Sequence, residues 1–425
     1  MKKNSVSVIG LGYVGLPLAV EFCRSGFQVI GVDIDEERLA FLRQGRSYIA
    51  DVASQDIQEF VSSGRLCPSA EFSPLRDVEG ISICVPTPLR KTKEPDVSYV
   101  IAAAENISHV LQPGQVIILE STVYPGATEG LVAPILETSG LKAGNDFYLA
   151  FSPERIDPGN HSVPLKEVPK VIGGINEEST HRAAELYKCV FDTLIPMASA
   201  KDAEMAKLLE NTFRAVNIGL INELAIMAHH MDINIWEVIK AAASKPFGFM
   251  PFYPGPGWGG HCIPVDPVYL SWRAKMDGLD VGFIDHAVQI NSRMPQHVVD
   301  RVAHILNEQG KPLHGSRILL LGVTYKRDVA DIRESPALNI LNILGQKHAL
   351  TTYHDPYVPH LEYDGQMIES QHLDGELLSS QDCVIITTDH SCFDYEFIAE
   401  HSPLIFDTRN GTRNLQKCRP HINLL

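Results

Sequence analysis

The chain opens on a β-branched run, Ser5-Val6-Ser7-Val8-Ile9, that predicts a short strand. Gly10-Leu11-Gly12-Tyr13-Val14-Gly15 follows, and from Leu16 to Ser25 the apolar positions take a helical period. Gln28 to Val32 reads as a second strand, ending at Asp33. These segments predict a βαβ unit with a glycine-rich turn between strand and helix. Apolar runs at 81–85, 116–119 and 147–151, with helical stretches between them, predict further strands of a parallel sheet.

After about residue 200 the pattern changes. Residues 202–230 carry one helical period with almost no punctuation, and 233–243 continue it. A loop dense in Pro and Gly spans 245–267, and helical stretches fill 268–307. Strand-like runs return at 317–322, 349–353, 383–387 and 404–406. The fold class read from this order is α/β. Two Rossmann-like, doubly wound parallel-sheet domains are joined by a central helical domain with a long helix, with boundaries at 1–200, 201–305 and 306–425.

Composition narrows the setting. At roughly 150 residues per domain, 425 residues allow two to four domains. The net charge of −16 argues against nucleic acid and anionic membrane as partners. An anionic ligand would therefore need locally placed cations. The eight cysteines, at 23, 67, 84, 189, 262, 383, 392 and 418, are scattered without a CxxC pair. That usage suits a reducing cytosol rather than a disulfide scaffold or structural zinc. Lys2 and Lys3 precede an apolar stretch, as in a leader, but Gly10, Gly12, Gly15 and Pro17 interrupt it and Glu21 follows. No run approaches the ~18 apolar residues of a membrane span, so a globular cytoplasmic protein is expected.

Three constellations carry chemistry. In the first, Gly10 permits a tight turn, Gly12 lets backbone approach a pyrophosphate, and Gly15 lets helix pack on strand. Asp33, 18 residues beyond Gly15, would accept from ribose hydroxyls and repel a 2′-phosphate, which favours NAD over NADP. Arg38 either stacks near the adenosine or is an exposed helix residue. In the second, Lys207, Asn211 and Arg214 stand at i, i+4 and i+7, hence on one helix face, with Ala203, Ala206 and Phe213 on the other side. Such a stripe is either a solvated face or part of a ligand cleft. In the third, Cys262 is flanked by Gly259, Gly260 and His261 at the entry to a helix. It is either a reachable thiol of lowered pKa or a buried core cysteine. A metal reading of His261, Cys262 and Asp266 lacks a fourth ligand, and His229-His230 read as ordinary helix surface.

Taken together, these residues resemble the UDP-glucose/GDP-mannose dehydrogenase family. The resemblance runs, in order, through Gly10–Gly15 with Asp33, Val85-Pro86-Thr87-Pro88, Glu120-Ser121-Thr122-Val123, Ser152-Pro153-Glu154 and Lys207 to Arg214. It continues through Gly259-Gly260-His261-Cys262, Tyr325-Lys326-Arg327-Asp328 with Asp331 to Ser335, and Asp407-Thr408-Arg409-Asn410. It implies NAD-dependent oxidation of a sugar C6 alcohol to a carboxylate in two steps. Cys262 would be the nucleophile of a thiohemiacetal and then a thioester. Lys207 and Asn211 would stabilise oxyanions at C6, and Asp266 would serve proton transfer and water activation. Thr122 and Glu154 resemble residues that position water and cofactor, and Glu154 is also a candidate base for thioester hydrolysis.

The resemblance further implies cofactor contacts from Gly10, Gly12, Tyr13, Val14, Gly15, Asp33, Arg38, Thr87, Thr122 and Arg333. Substrate contacts would come from Glu154, Arg155, Lys207, Asn211, Arg214, Phe252, Tyr253 and Gly259. Lys326 and Arg409 would meet the UDP moiety. The three segments would thus be an NAD-binding domain, a central domain with the reactive loop, and a UDP-binding domain. Family members acting on UDP-glucose usually carry Gly-Gly-Ser-Cys with Lys three residues on, where this chain has His261 and Val265. Residues 245–257 resemble members acting on UDP-N-acetylglucosamine for surface polysaccharide; members acting on UDP-N-acetylmannosamine or UDP-N-acetylgalactosamine share Gly-Gly-His-Cys. A homodimer or higher homo-oligomer through the central helices would bury Ile218, Ile221 and Leu224, and a single chain enclosing them is the equal alternative. A two-electron hydroxyacid dehydrogenase would explain Lys207 and Asn211 but not Cys262, and a non-catalytic NAD-binding regulator would not need Cys262, Lys207 and Asp266 together.

Overall fold

The computed structural model describes residues 4–49, 51–155, 164–417 and 419–425; Lys2, Lys3 and Cys418 lie outside the described residues. The chain forms two compact units, one of Met1–Glu210 with Trp272–Leu279 and one of Asn211–Ser271 with Asp280–Leu425. The long helix Ala200–His230 begins in the first and continues into the second.

In the first unit, strands β1 (Ser5–Ile9), β2 (Gln28–Val32), β3 (Leu66–Ser69), β4 (Gly80–Ile83), β5 (Val116–Leu119), β6 (Tyr148–Phe151), β7 (Lys170–Gly174) and β8 (Leu194–Pro196) form one sheet. Its order is β3-β2-β1-β4-β5-β6-β7-β8, parallel from β3 to β6. Helix Gly15–Arg24 buries Leu16, Leu18, Ala19 and Phe22 on one face of the sheet, and helix Ser98–Ser108 buries Val100, Ala104 and Ile107 on the other. This is the doubly wound arrangement expected, with both faces covered. One expectation is corrected: β7 runs antiparallel to β6, pairing Gly174 with Ala150 and Gly173 with Phe151. β3, β7 and β8 escape the hydrophobic pattern because they carry Pro, paired Gly or only three residues.

In the second unit, β9 (Arg317–Leu321), β10 (Leu350–His354), β13 (Cys383–Ile386), β14 (Ile405–Asp407) and β15 (Ile422–Leu424) form a parallel sheet ordered β10-β9-β13-β14-β15. A hairpin of β11 (His360–Tyr363) and β12 (Gln366–Glu369) stands apart from it. Helices Gly282–Glu308 and Pro336–Gln346 pack Val298, Val302, Ile305, Ile340 and Leu344 against Ile318 and Leu320. A smaller cluster joins Ile221 and Ala225 of the long helix to Ile235, Trp236 and Ile239. Ile221 is therefore enclosed by its own chain and is withdrawn from the surface expected to meet a second copy. The exposed apolar side chains along the long helix are instead Met205, Leu209, Phe213, Leu220 and Met227. Among the described residues no helix is long and apolar enough to cross a membrane.

Candidate active site

In the first unit the glycine turn follows β1 as the sequence requires. Gly10 has φ of +88°, and a Cβ there would lie 2.6 Å from the Cys84 carbonyl oxygen. A Cβ on Gly15 would come within 1.9 Å of the Gly10 carbonyl oxygen, whereas one on Gly12 would meet nothing within 4 Å. The turn is thus closed toward the sheet and open above Gly12, where backbone can approach a diphosphate. Tyr13 is exposed and Val14 half-buried. Asp33 follows β2 and braces this turn: its Oδ2 accepts from the Leu11 amide at 2.8 Å and its Oδ1 from the Asp35 amide at 3.0 Å. Arg38 turns back onto the acids, 3.6 Å from Asp33 and 3.3 Å from Asp35. Thr87 is buried in the segment after β4, and Thr122 is half-buried in the segment after β5. All of these lie beyond the carboxyl ends of parallel strands, where ligands of such sheets bind.

The segment carrying Thr122 is tied down by a residue the sequence reading passed over. Glu204, fully buried on the long helix, accepts from the Gly126 amide at 2.5 Å, the Thr128 amide at 2.8 Å and the Thr128 hydroxyl at 2.6 Å. Burial pushes its carboxyl up to about 7, against the pull of these donors toward the ionised form.

Glu154 follows β6 and closes a second buried group. Lys170 at the head of β7 lies 2.6 Å from Glu120 Oε2, 3.2 Å from the Pro153 carbonyl and 3.7 Å from Glu154 Oε2. Tyr187 donates to Glu120 Oε1 at 2.5 Å, and its hydroxyl lies 2.9 Å from Ser82. Lys207 donates to the Glu154 backbone carbonyl. Arg155 is bound to Glu210, at 2.5 and 3.3 Å, and to the Pro169 carbonyl at 2.7 Å.

The long helix divides both groups expected from the sequence. Lys207 and Asn211 lie on its buried side with Ala203, Glu204 and Thr212, while Phe213 and Arg214 are exposed. Ala203 precedes Lys207 by four residues and so shares its face; hydrogen bonds to the Glu154 carbonyl and to Asp266 make Lys207 and Asn211 tolerable inside.

In the second unit, Cys262 is half-buried, carries no disulfide, and begins the turn that leads into helix Asp266–Met276. Its carbonyl accepts from the amides of Val265, at 3.1 Å, and Asp266, at 2.9 Å. Asp266 is buried and accepts from the Asn211 side-chain amide at 2.6 Å. The loop that carries Cys262 is seated on the motif that begins at Tyr325. A Cβ on Gly259 would lie 2.5 Å from Tyr325 Cβ, and one on Gly260 would lie 2.7 Å from its ring. The Gly260 amide also donates to the Arg333 carbonyl at 3.0 Å, while the Arg333 guanidinium is held by Asp331, at 2.6 and 3.0 Å. Among the described residues no group of His, Cys, Asp and Glu is arranged to hold a metal ion.

Arg409 follows β14 and donates to the Thr387 carbonyl at 3.0 Å; Gly255 lets it approach, since a Cβ there would be 2.6 Å from its Nη1. Burial lowers its pKa, with Asp389 and Asp407 opposing. Arg409 lines a cavity of about 400 Å³ with Trp236, Tyr253, Asp389, Asn410 and Arg413. Trp236 and Tyr253 stack at 6.2 Å, and Phe252 meets Phe213 edge-on at 5.7 Å. Lys326, half-buried, precedes Asp328, whose φ of +59° is held by bonds to one buried histidine segment. The Asp328 amide donates to His390 Nδ1 at 3.0 Å, and the Ser391 amide donates to Asp328 Oδ1 at 2.8 Å. His390 Nδ1 is thus an acceptor, so its proton sits on Nε2, 3.1 Å from Asp355. The sequence reading gave no role to Glu204, Glu120, Lys170, His390 or Asp355. Glu120 stands in the quoted Glu-Ser-Thr-Val motif, and Lys170 leaves a local signal as a cation heading the apolar strand Lys-Val-Ile-Gly-Gly.

Comparison with known proteins places the chain in a family. Residues 4–191 match the NAD binding domain of the UDP-glucose/GDP-mannose dehydrogenase family, 201–293 its central domain and 319–414 its UDP binding domain. The chain is 39% identical over 360 residues to a UDP-N-acetyl-D-glucosamine 6-dehydrogenase of Pseudomonas aeruginosa, covering 84% of each. It is 34% identical over 411 residues to a UDP-N-acetyl-D-mannosamine dehydrogenase of Pyrococcus horikoshii, covering 95% of each. The solved structure of a UDP-D-ManNAc dehydrogenase from Pyrococcus horikoshii superposes with a TM-score of 0.89 at 33% identity, over 99% of this chain and 98% of that one. The cofactor of the N-terminal domain is NAD and the reaction is dehydrogenation of a UDP-sugar: the chain belongs to the UDP-glucose/GDP-mannose dehydrogenase family.

Proposed function

We propose that the protein oxidises C6 of a UDP-N-acetylhexosamine, UDP-N-acetylglucosamine foremost, to the uronic acid through covalent attachment to Cys262. The observation that carries this reading is the buried Asn211–Asp266 pair one helical turn beyond a half-buried cysteine. The open turn at Gly12 and the carboxylate of Asp33 suit NAD, which when bound accepts one hydride in each of two oxidations. The Cys262 thiolate adds to the C6 aldehyde and holds it as a thiohemiacetal, then as a thioester. Lys207 and Asn211 stabilise the oxyanions. Asp266 exchanges protons at C6, and Glu154, with Thr122 positioning water, takes a proton from the water that releases the acid. In sum, one alcohol and one water give a carboxylate, two hydrides and three protons.

Relatives named for UDP-N-acetyl-D-glucosamine and for UDP-N-acetyl-D-mannosamine both resemble this chain. The loop at 245–257 favours the first in this reading, which also retains the three-part division at 200 and 305. The exposed apolar side chains of the long helix support a homodimer, and the scattered cysteines support a cytoplasmic setting. The test is NADH yield on a panel of UDP-hexoses and UDP-N-acetylhexosamines. Two NADH per sugar, fastest with UDP-N-acetylglucosamine, is expected; one per sugar sinks the four-electron reaction.

A further inference from the structure

Lys170 is only 3% exposed, and an ammonium buried so deeply must be compensated. Glu120 alone would suffice, being wholly enclosed and 2.6 Å away, with its second oxygen occupied by Tyr187. Yet Lys170 also reaches the Pro153 carbonyl at 3.2 Å and Glu154 Oε2 at 3.7 Å. One ammonium therefore stands between two carboxylates, tight on the enclosed one and looser on the one that retains 11% exposure.

We propose that Lys170 is a positioning residue for Glu154, fixing the carboxylate that releases the product; this rests on the reading of Glu154 as the base. Four elements converge on it. Ser82 on β4, Glu120 after β5, Pro153 after β6 and Lys170 on β7 form one hydrogen-bonded row through Tyr187, and Glu154 joins it through its ion pair with Lys170. The antiparallel pairing of β7 with β6 brings the start of β7 alongside the residues that follow β6. Lys207 donates to the backbone carbonyl of the same residue, so main chain and carboxylate have separate anchors. Burial by itself lowers the Lys170 pKa, but Glu120 and Glu154 outweigh it and the net shift is upward, which keeps the ammonium charged. A purely structural ion pair would have no need of the third, more accessible member.

The test uses the full chain with NAD and UDP-N-acetylglucosamine. Lys170→Met alone strands Glu120 and is expected to unfold the protein in part. The charge-matched pair Lys170→Met with Glu120→Gln removes cation and anion together; Lys170→Gln with Glu120→Gln makes the same test with an amide pair should the first not fold. The expected result is an unchanged NAD affinity, a retained first-turnover burst of NADH, and a steady-state rate lower by about 10- to 100-fold. Mass spectrometry should then find the substrate's acyl group held on Cys262, and Lys170→Arg should recover part of the rate. A wild-type steady state in the charge-matched pair overturns the inference. So does an equal loss of burst and steady state with a lowered melting temperature, which marks a merely structural role. The underlying reading fails separately, if Glu154→Gln keeps the wild-type steady-state rate.

Discussion

Asn211 donates its side-chain amide to Asp266 across 2.6 Å, and both residues are buried. Asn211→Ala leaves a buried carboxylate short of a donor, which should cost about 2 kcal/mol. Urea unfolding reads this directly, and a midpoint equal to wild type contradicts it. Turnover should fall with it by more than the stability loss explains, because Asp266 begins the helix one turn after Cys262.

Glu204 makes stability depend on pH. Its carboxyl is raised in the fold from 4.5 to about 7, with burial the dominant cause. The folded chain therefore keeps a proton that the unfolded chain has released, so this contribution favours folding at low pH and is lost as pH rises through about 7. Between about pH 6 and 8 the unfolding free energy should drop by roughly 1.4 kcal/mol from this group. Glu204→Gln, neutral throughout, should remove that slope. Parallel pH–stability curves for wild type and variant would show that the carboxyl is already ionised below pH 6.

Asp33 braces the glycine turn, and in the proposed function it also meets the ribose. Asp33→Asn keeps an acceptor for the Leu11 amide but removes the charge. NADH affinity, read by fluorescence, should weaken about tenfold, as expected for loss of a hydrogen bond to a charged group. NADP should become a better substrate relative to NAD. An unchanged preference would mean that Asp33 only braces the glycine turn.

The contact of Gly259 with Tyr325 is testable as a pair. Gly259→Ala places a methyl 2.5 Å from Tyr325 Cβ and should cost about 1–3 kcal/mol while displacing the loop of Cys262. Tyr325→Gly in the same chain opens that space and should restore part of the turnover. Additive losses in the double variant would show that the two residues do not share the space.

Much of the fold was legible because its signals are local. β1, β2 and β5 lie where the alternation placed them, and the central strands of the second sheet fall within a residue of expectation. The glycine turn was legible for the same reason: its three glycines and Asp33 belong to one continuous βαβ segment whose spacing is set by the backbone. β7 was not, since its paired glycines hide a strand, and its direction is fixed only by the neighbour it pairs with.

The side chains that hold the site were the harder part. The chain order of its amino acids established the α/β class, the NAD cofactor through family likeness, and Cys262 as the candidate nucleophile. Folding decided that Lys207 and Asn211 face inward, that Asn211 meets Asp266, and that Lys170 stands between Glu120 and Glu154. Lys170 and Glu120 are 50 residues apart. Helical and strand periods report only neighbours a few residues away, so a charge balanced across strands becomes visible when the sheet closes around it.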